Sequence, residues 1–251
     1  MANKTNLIIL IPARSGSTRV KNKNLKKLGN LPLLGHKIKS CINCKMGKVI
    51  VSTNSLKIAK YAKKLGAEVP FLRPKKYSTS KASTMSCVLH LIRYLINNRI
   101  RLPNYIAVLP ATNPFLKTYS IKNAFRKLIK NKKYNSIVSY TDAPSHPFSI
   151  IKYKKKIIFN IIKYEGYKYS DFERSQDWPS ANIETPAIKI SKISYFLKFL
   201  KNYSPLVNKK TFDMESSIGY KITNTEAFDI NTSEDFIVAN SIFNNLKKLN
   251  K

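Results

Sequence analysis

Long apolar runs are missing from this chain of 251 residues. No stretch approaches the length of a membrane span, and the apolar segment near the start lacks a signal-peptide cleavage pattern, so a cytoplasmic protein with no membrane partner is expected. Cysteine is scarce. Cys41, Cys44 and Cys87 fit a reducing compartment, and Cys41-x2-Cys44, which looks like half a zinc site, is answered by no second Cys/His pair. The pair reads as ordinary helix-end cysteines. Acidic residues are few: 13 Asp and Glu stand against 46 Lys and Arg, a formal net charge of +33. Such a balance suits an anionic partner. The basic residues nevertheless spread along the whole chain, without a basic tail or an arginine-rich block, and Lys, Asn and Ile are abundant together, as in a biased coding composition. No specific nucleic-acid partner is expected. The charge should raise the encounter rate with an anionic substrate and make that rate salt-sensitive. Repeats are absent, as are low-complexity segments beyond the Lys/Asn bias. His36, His90 and His146 stand in unrelated contexts, which leaves nucleophilic catalysis by Ser, His or Cys without support.

What is present is a core. Hydrophobic residues make up 43%, with 12 Phe and 14 Tyr, enough for a folded globule. Strand-like runs at Leu7–Ile11, Val49–Ser52, Val69–Leu72, Tyr105–Leu109 and Ser136–Tyr140 alternate with helical stripes. One stripe runs Ile58, Tyr61, Ala62, Leu65 and stops at Gly66; a second runs from Met85 to Ile96; a third from Ile121 to Ile129. The alternation predicts an α/β fold with a doubly wound, mostly parallel sheet. From Ala143 to Pro186 the pattern breaks into Pro-containing, aromatic-rich chain with β-like runs around Lys156–Ile162, read as a hairpin-containing insertion in a single domain spanning 1–251. Ala187–Ile190 and Ala227–Ile230 are expected to return as strands. Thr232 and Asp235 resemble a capping box opening a last helix through Phe236, Ala239, Phe243 and Leu246.

The segment Leu7–Asn24 holds the first candidate site. An apolar run ends at Pro12 and opens into a loop containing Arg14, Ser15, Gly16, Ser17, Thr18, Arg19, Lys21 and Lys23. Small residues let backbone N–H groups approach anionic oxygens, and the cations supply charge, so the loop suits a polyphosphate. Open α/β sheets hold ligands where such loops leave the strand ends. The Gly-x4-Gly-Lys-Ser/Thr spacing of a Walker loop is absent.

Eight blocks in register resemble the acylneuraminate cytidylyltransferase family (CMP-sialic acid synthetases), including its legionaminic and pseudaminic acid members. They are IPARSGSTRVKNKN, LLGHKIKSC, VSTNSLKIAKYAKKLGAEVPFLRP, KASTMSCVLHLI, LPATNPF, SHPF, and RSQDWP with AFDINTSEDF. The resemblance implies a three-layer αβα, Rossmann-like nucleotide-diphospho-sugar transferase fold with a β-hairpin dimerisation insertion over 143–186, and a homodimer. It implies that the anomeric hydroxyl of an acidic nine-carbon keto sugar attacks the α-phosphorus of CTP and releases pyrophosphate, with Mg2+ as cofactor. Surface glycan biosynthesis would be the setting. By this resemblance Arg14 and Lys23 grip the phosphates, Ser15, Gly16 and Ser17 offer donors, and Asn24, Arg73 and Ser83 line the cytidine side. Asp229 is the catalytic metal ligand with Asn231 beside it, on one face of a strand. Arg174, Gln176 and Asp177 are candidate substrate contacts.

The chain departs from the family pattern at named positions. Asn231 replaces an Asp, and a neutral amide is a weaker magnesium ligand than a carboxylate. Asn54 and Ser80 replace Asp; Pro110, Leu116, Ser149, Ile183, Thr185 and Pro186 stand where the family has amides, cations or glycine on the sugar side. The nucleotide half is better kept than the sugar half. An active transferase with a changed acid-sugar preference, a nucleotide-binding homologue with little or no turnover, and a transferase for a Kdo-type sugar all remain open. In the first case Tyr164, Tyr167, Tyr169, Arg174 and Trp178 could build a different sugar pocket, or the rings could serve a dimer interface.

Overall fold

Leu7–Pro12 forms β1 and lies inside a six-stranded sheet, where an apolar run without alternation belongs. The computed structural model describes residues 6–17, 19–154, 157–160, 163–201 and 203–249. The strands are β1, β2 (Lys27–Leu28), β3 (Leu31–Pro32), β4 (Lys48–Ser52), β5 (Tyr105–Val108), β6 (Ser136–Asp142), β7 (Ile151–Lys154), β8 (Ile157–Asn160), β9 (Asn182–Lys192) and β10 (Ser217–Lys221). The helices are α1 (Leu33–Asn43), α2 (Leu56–Lys64), α3 (Thr84–Asn97), α4 (Thr118–Lys130), α5 (Ile193–Leu197), α6 (Asn224–Ala227) and α7 (Ser233–Leu249).

The main sheet runs β10-β6-β9-β5-β1-β4. β1 is parallel to β4 and β5, and β10 is parallel to β6, while β9 lies antiparallel between β5 and β6. Alternation along β1 divides the core. Ile9 and Ile11 pack with Ile38 of α1, Ala62 of α2 and Phe125 of α4 on one face. Ile8 and Leu10 pack with Val88 and Ile92 of α3 and Phe196 of α5 on the other. This is the expected three-layer αβα arrangement.

Several expectations are corrected. Val69–Leu72 makes no strand: only Glu68 and Leu72 form isolated bridges, to Ile50 and Thr53. Pro70 lies between them and has no N–H to give a ladder. Ala227–Ile230 is no strand either. Thr223 and Glu226 form a reciprocal capping box that winds Asn224–Ala227 into α6, and the sheet takes β10 at its edge instead. Ile96 ends the α3 stripe 47% exposed. The Thr232–Asp235 cap is present, Asp235 N–H donating to Thr232 Oγ1 at 3.2 Å and Thr232 N–H to Asp235 Oδ2 at 2.8 Å. Cys41 and Cys44 are buried, and the Cys44 thiol donates to the Cys41 carbonyl at 2.8 Å.

The chain between β6 and β9 contains the hairpin β7–β8, paired Ile151↔Asn160 through Lys154↔Ile157. Lys156, Ile161 and Ile162 of the expected run lie outside the described residues. Trp178 packs inward against His146 and Phe148, with ring centroids 5.0 and 5.7 Å away.

β9 re-enters through a bulge. Val138 of β6 faces Lys189, but Tyr140, two residues on, faces Glu184. Pro186 cannot donate to a ladder, and the extra residues loop out around it. Ser139 fills the gap: its Oγ accepts the Ile188 N–H at 2.9 Å and shares a hydrogen bond with Thr185 Oγ1 at 2.6 Å. Five residues apart, Glu184 and Lys189 would point to opposite faces of a regular strand. The bulge puts them on one face, where they pair at 2.6 Å.

Candidate active site

The loop after β1 closes on itself. Asn24 Nδ2 donates to the Arg14 carbonyl at 2.9 Å, and Arg14 Nη1 donates to the Gly16 carbonyl at 3.0 Å. Gly16 (φ +77°) and Asn22 (φ 53°) take the left-handed backbone that lets so short a loop turn back. Asn54 takes the Ser15 N–H at 2.8 Å, so that donor is already used, and Asn54 acts as a brace at the end of β4. A cavity of about 290 Å³ results, lined by Arg14, Ser15, Gly16, Ser17, Lys23 and Asn24 among others. Thr18 lies outside the described residues.

From the cradle wall Lys23 reaches across to the segment before α7. Its Nζ donates to the Ile230 carbonyl at 2.9 Å. Burial pushes this ammonium below its ordinary value, opposed by the Asp229 charge and reinforced by Arg19 and Arg14. Asp229 and Asn231 flank Ile230 in a loop rather than on a strand, yet they still meet: Asn231 Nδ2 donates to Asp229 Oδ2 at 2.7 Å. Asp229 Oδ1 is buried and has no hydrogen-bond partner among the described residues. Burial acts to raise the Asp235 carboxyl, but the N–H groups of Asn231 and Thr232 outweigh it and hold Asp235 low.

Not every predicted residue joins this group. Arg73 is buried, its backbone N–H on the Thr53 carbonyl at 2.7 Å and its Nε on Ser78 Oγ at 3.2 Å. Ser83 caps α3, accepting the Ser86 N–H at 3.0 Å. Neither lines the cradle. Arg174 and Asp177 pair with each other at 3.0 Å on the exposed turn Ser175–Asp177, which also carries Gln176.

A second cavity of about 290 Å³ opens between the start of α3, the β9 bulge and residues 209–211, with Pro12 and Thr112 on its rim. Ile230 joins the two: its N–H donates to the Thr112 carbonyl at 2.9 Å while its own carbonyl holds Lys23. Lys189, Lys209 and Lys210 line this second space. Sequence reasoning missed them because among 46 basic residues no single lysine stands out; the one available signal was a lysine inside the apolar strand Ala187–Ile190. Lys37 was missed too. It is fully buried in α1, and its Nζ has no hydrogen-bond partner among the described residues. Burial lowers its pKa to about 8, with Cys41, Asp229 and Glu226 opposing.

A family model described as "Cytidylyltransferase" matches residues 8–241. The chain belongs to the cytidylyltransferase family. It is 28% identical over 243 residues to the N-acylneuraminate cytidylyltransferase of Escherichia coli O18:K1:H7 (strain RS218 / NMEC), covering 95% of this chain and 52% of that protein. Over 126 residues it is 30% identical to the pseudaminic acid cytidylyltransferase of Campylobacter jejuni subsp. jejuni serotype O:23/36 (strain 81-176), covering 50% and 54% respectively. The chain thus spans about half the length of both relatives. Among solved structures it is similar to CMP:2-keto-3-deoxy-manno-octonic acid synthetase complexed with CTP, with a TM-score of 0.66, 11% identity, and 96% and 99% of the two chains covered. That likeness bears on the fold.

Proposed function

We propose that this chain transfers CMP from CTP to the anomeric hydroxyl of a sialic-acid-like nine-carbon keto-sugar acid. The hydroxyl oxygen bonds to the α-phosphorus, the bond to the β-phosphate oxygen breaks, pyrophosphate leaves and the hydroxyl proton passes to solvent. The observation that carries this reading is the Lys23–Ile230 bond, which draws a cationic phosphate cradle against Asp229 in a chain of the cytidylyltransferase family. Arg14 and Lys23 neutralise the triphosphate, and Gly16 and Ser17 let its oxygens approach the backbone.

Mg2+ is proposed as cofactor. The unpartnered Oδ1 of Asp229 offers a carboxylate oxygen, and Asn231 adds an amide whose oxygen can turn toward the same point. Among the described residues no group of three or more His, Cys, Asp or Glu could hold a metal without help, so substrate oxygens and water would complete the shell. When bound, the cation neutralises charge on the departing pyrophosphate.

A homodimer is proposed from the exposed apolar side chains of the 143–186 insertion: Ile150, Ile151, Tyr167, Tyr169 and Ile183 are each 47–52% exposed. No helix among the described residues is long and apolar enough to cross a membrane. A cytoplasmic place in surface glycan biosynthesis accords with the proposed chemistry.

Asn231 favours a second reading, a nucleotide-binding homologue with little turnover. Pyrophosphate release from CTP and Mg2+, across sialic, legionaminic, pseudaminic and Kdo-type acids with ATP, GTP and UTP as controls, separates the two. Release that depends on one acid supports the transferase. Tight CTP binding without release for any acid supports the homologue.

A further inference from the structure

The second cavity is lined by Lys189, Lys209 and Lys210 and by no Asp or Glu. The bulge around Pro186 turns Lys189 onto the face of Glu184, whose carboxylate sits 2.6 Å from Lys189 Nζ and 4.0 Å from Lys210 Nζ. Both ammonium groups also lie over the Phe212 ring, 5.0 and 6.0 Å from its centroid. Lys209 has no ion pair among the described residues and lies 6.0 Å over Phe199. One carboxylate therefore serves two of the three cations, and the cluster keeps an excess of positive charge next to an open space.

The remaining walls are mixed. Thr84 and Thr112 bring hydroxyls, while Met85, Val108 and Pro110 are apolar. A cleft for phosphate alone has no use for apolar walls, and one for an apolar ligand has no use for three lysines. Cations, hydroxyls and apolar surface together suit a small polyhydroxylated acid carrying deoxy or acyl groups. The space also lies beside the phosphate cradle: Pro12 ends the strand that opens the loop, and Thr112 holds Ile230, which in turn holds Lys23.

We propose that Lys189, Lys209 and Lys210 form the carboxylate-reading wall of the acceptor subsite, with Glu184 as the internal anion that the incoming carboxylate competes with for them. This rests on the transferase reading above. It supplies cations for the acid from positions outside the blocks that resemble the family's pattern. Lysine suits the task because its flexible stem can turn from Glu184 to a ligand without remaking a planar fork.

The test is equilibrium binding of N-acetylneuraminic, legionaminic and pseudaminic acids to CTP-saturated protein in EDTA, which stops turnover, with the methyl ester of each as a carboxylate-free control. Lys189→Gln and Lys210→Gln should each weaken acid binding about tenfold or more and leave the ester unaffected. CTP affinity and the thermal midpoint should stay near those of the wild type. Glu184→Gln should tighten acid binding. That opposite sign distinguishes recognition from a structural ion pair, whose loss from either side would act in the same direction. Equal acid affinity in wild type and lysine variants, a drop in CTP affinity instead, or no binding of any acid to the wild type would each overturn the proposal. The transferase reading is judged separately by pyrophosphate release: acid binding lost in the variants, in a protein that never releases pyrophosphate, keeps the subsite and removes the activity.

Discussion

Lys23 Nζ donates to the carbonyl oxygen of Ile230 at 2.9 Å across 207 positions of sequence. One hydrogen bond thereby joins the loop after β1 to the segment that carries Asp229 and Asn231. The same Ile230 is held from the other side by Thr112, so the segment is clamped between two cavities.

If the cradle holds the triphosphate, Arg14→Ala and Lys23→Met should each raise the Kd for CTP about tenfold or more. Calorimetric titration with CTP measures this, and wild-type affinity in both variants would remove the cradle's role.

Asp229→Ala should abolish pyrophosphate release while circular dichroism stays that of a folded protein. Asn231→Asp should tighten Mn2+ binding in the presence of CTP, read by the bound-metal electron paramagnetic resonance signal, because a carboxylate replaces a neutral amide. Unchanged Mn2+ affinity would show that position 231 does not face the cation.

Lys37 gives a pH prediction. Burial disfavours the ammonium and pushes its pKa in the folded protein down to about 8, below the ordinary lysine value. Below pH 8 the folded protein carries the full cost of that buried charge. As pH rises from about 8 to 10 the folded state loses the proton first and the cost falls away. Lys37→Met should therefore stabilise the protein at pH 7, by about 1–3 kcal/mol. The advantage should shrink by pH 9.5. Urea unfolding of both proteins at the two pH values checks it; an advantage that grew with pH would reverse the assignment.

Ser139 makes a structural prediction with a functional reach. Its Oγ takes the Ile188 N–H inside the β9 bulge, so Ser139→Ala should leave buried polar groups unpaired, at a cost of about 1–3 kcal/mol in urea unfolding. Because the bulge sets Lys189 at the second cavity, the same variant should also weaken binding of the sugar acid. Wild-type stability would mean that another group satisfies Ile188.

Much of this was legible in the chain. An apolar run ending in Pro12 and a loop of Gly, Ser, Arg and Lys announce a strand end that can take phosphate, and the three helical stripes announce the layers around it. Val69–Leu72 and Ala227–Ile230 misled because composition is apolar in both, while the outcome was set by single features: a missing N–H at Pro70 and a capping box at Thr223 and Glu226.

The layered α/β fold, the cationic loop and the family could be read along the chain, since each rests on residues close together and on their periodicity. Three relations emerge only on folding: Asn54 braces Ser15, Ile230 links Lys23 to Thr112, and Lys189 shares a face with Glu184. Those relations depend on a bulge register and on contacts 39 to 207 residues apart, and such contacts form only when the sheet brings its strand ends together.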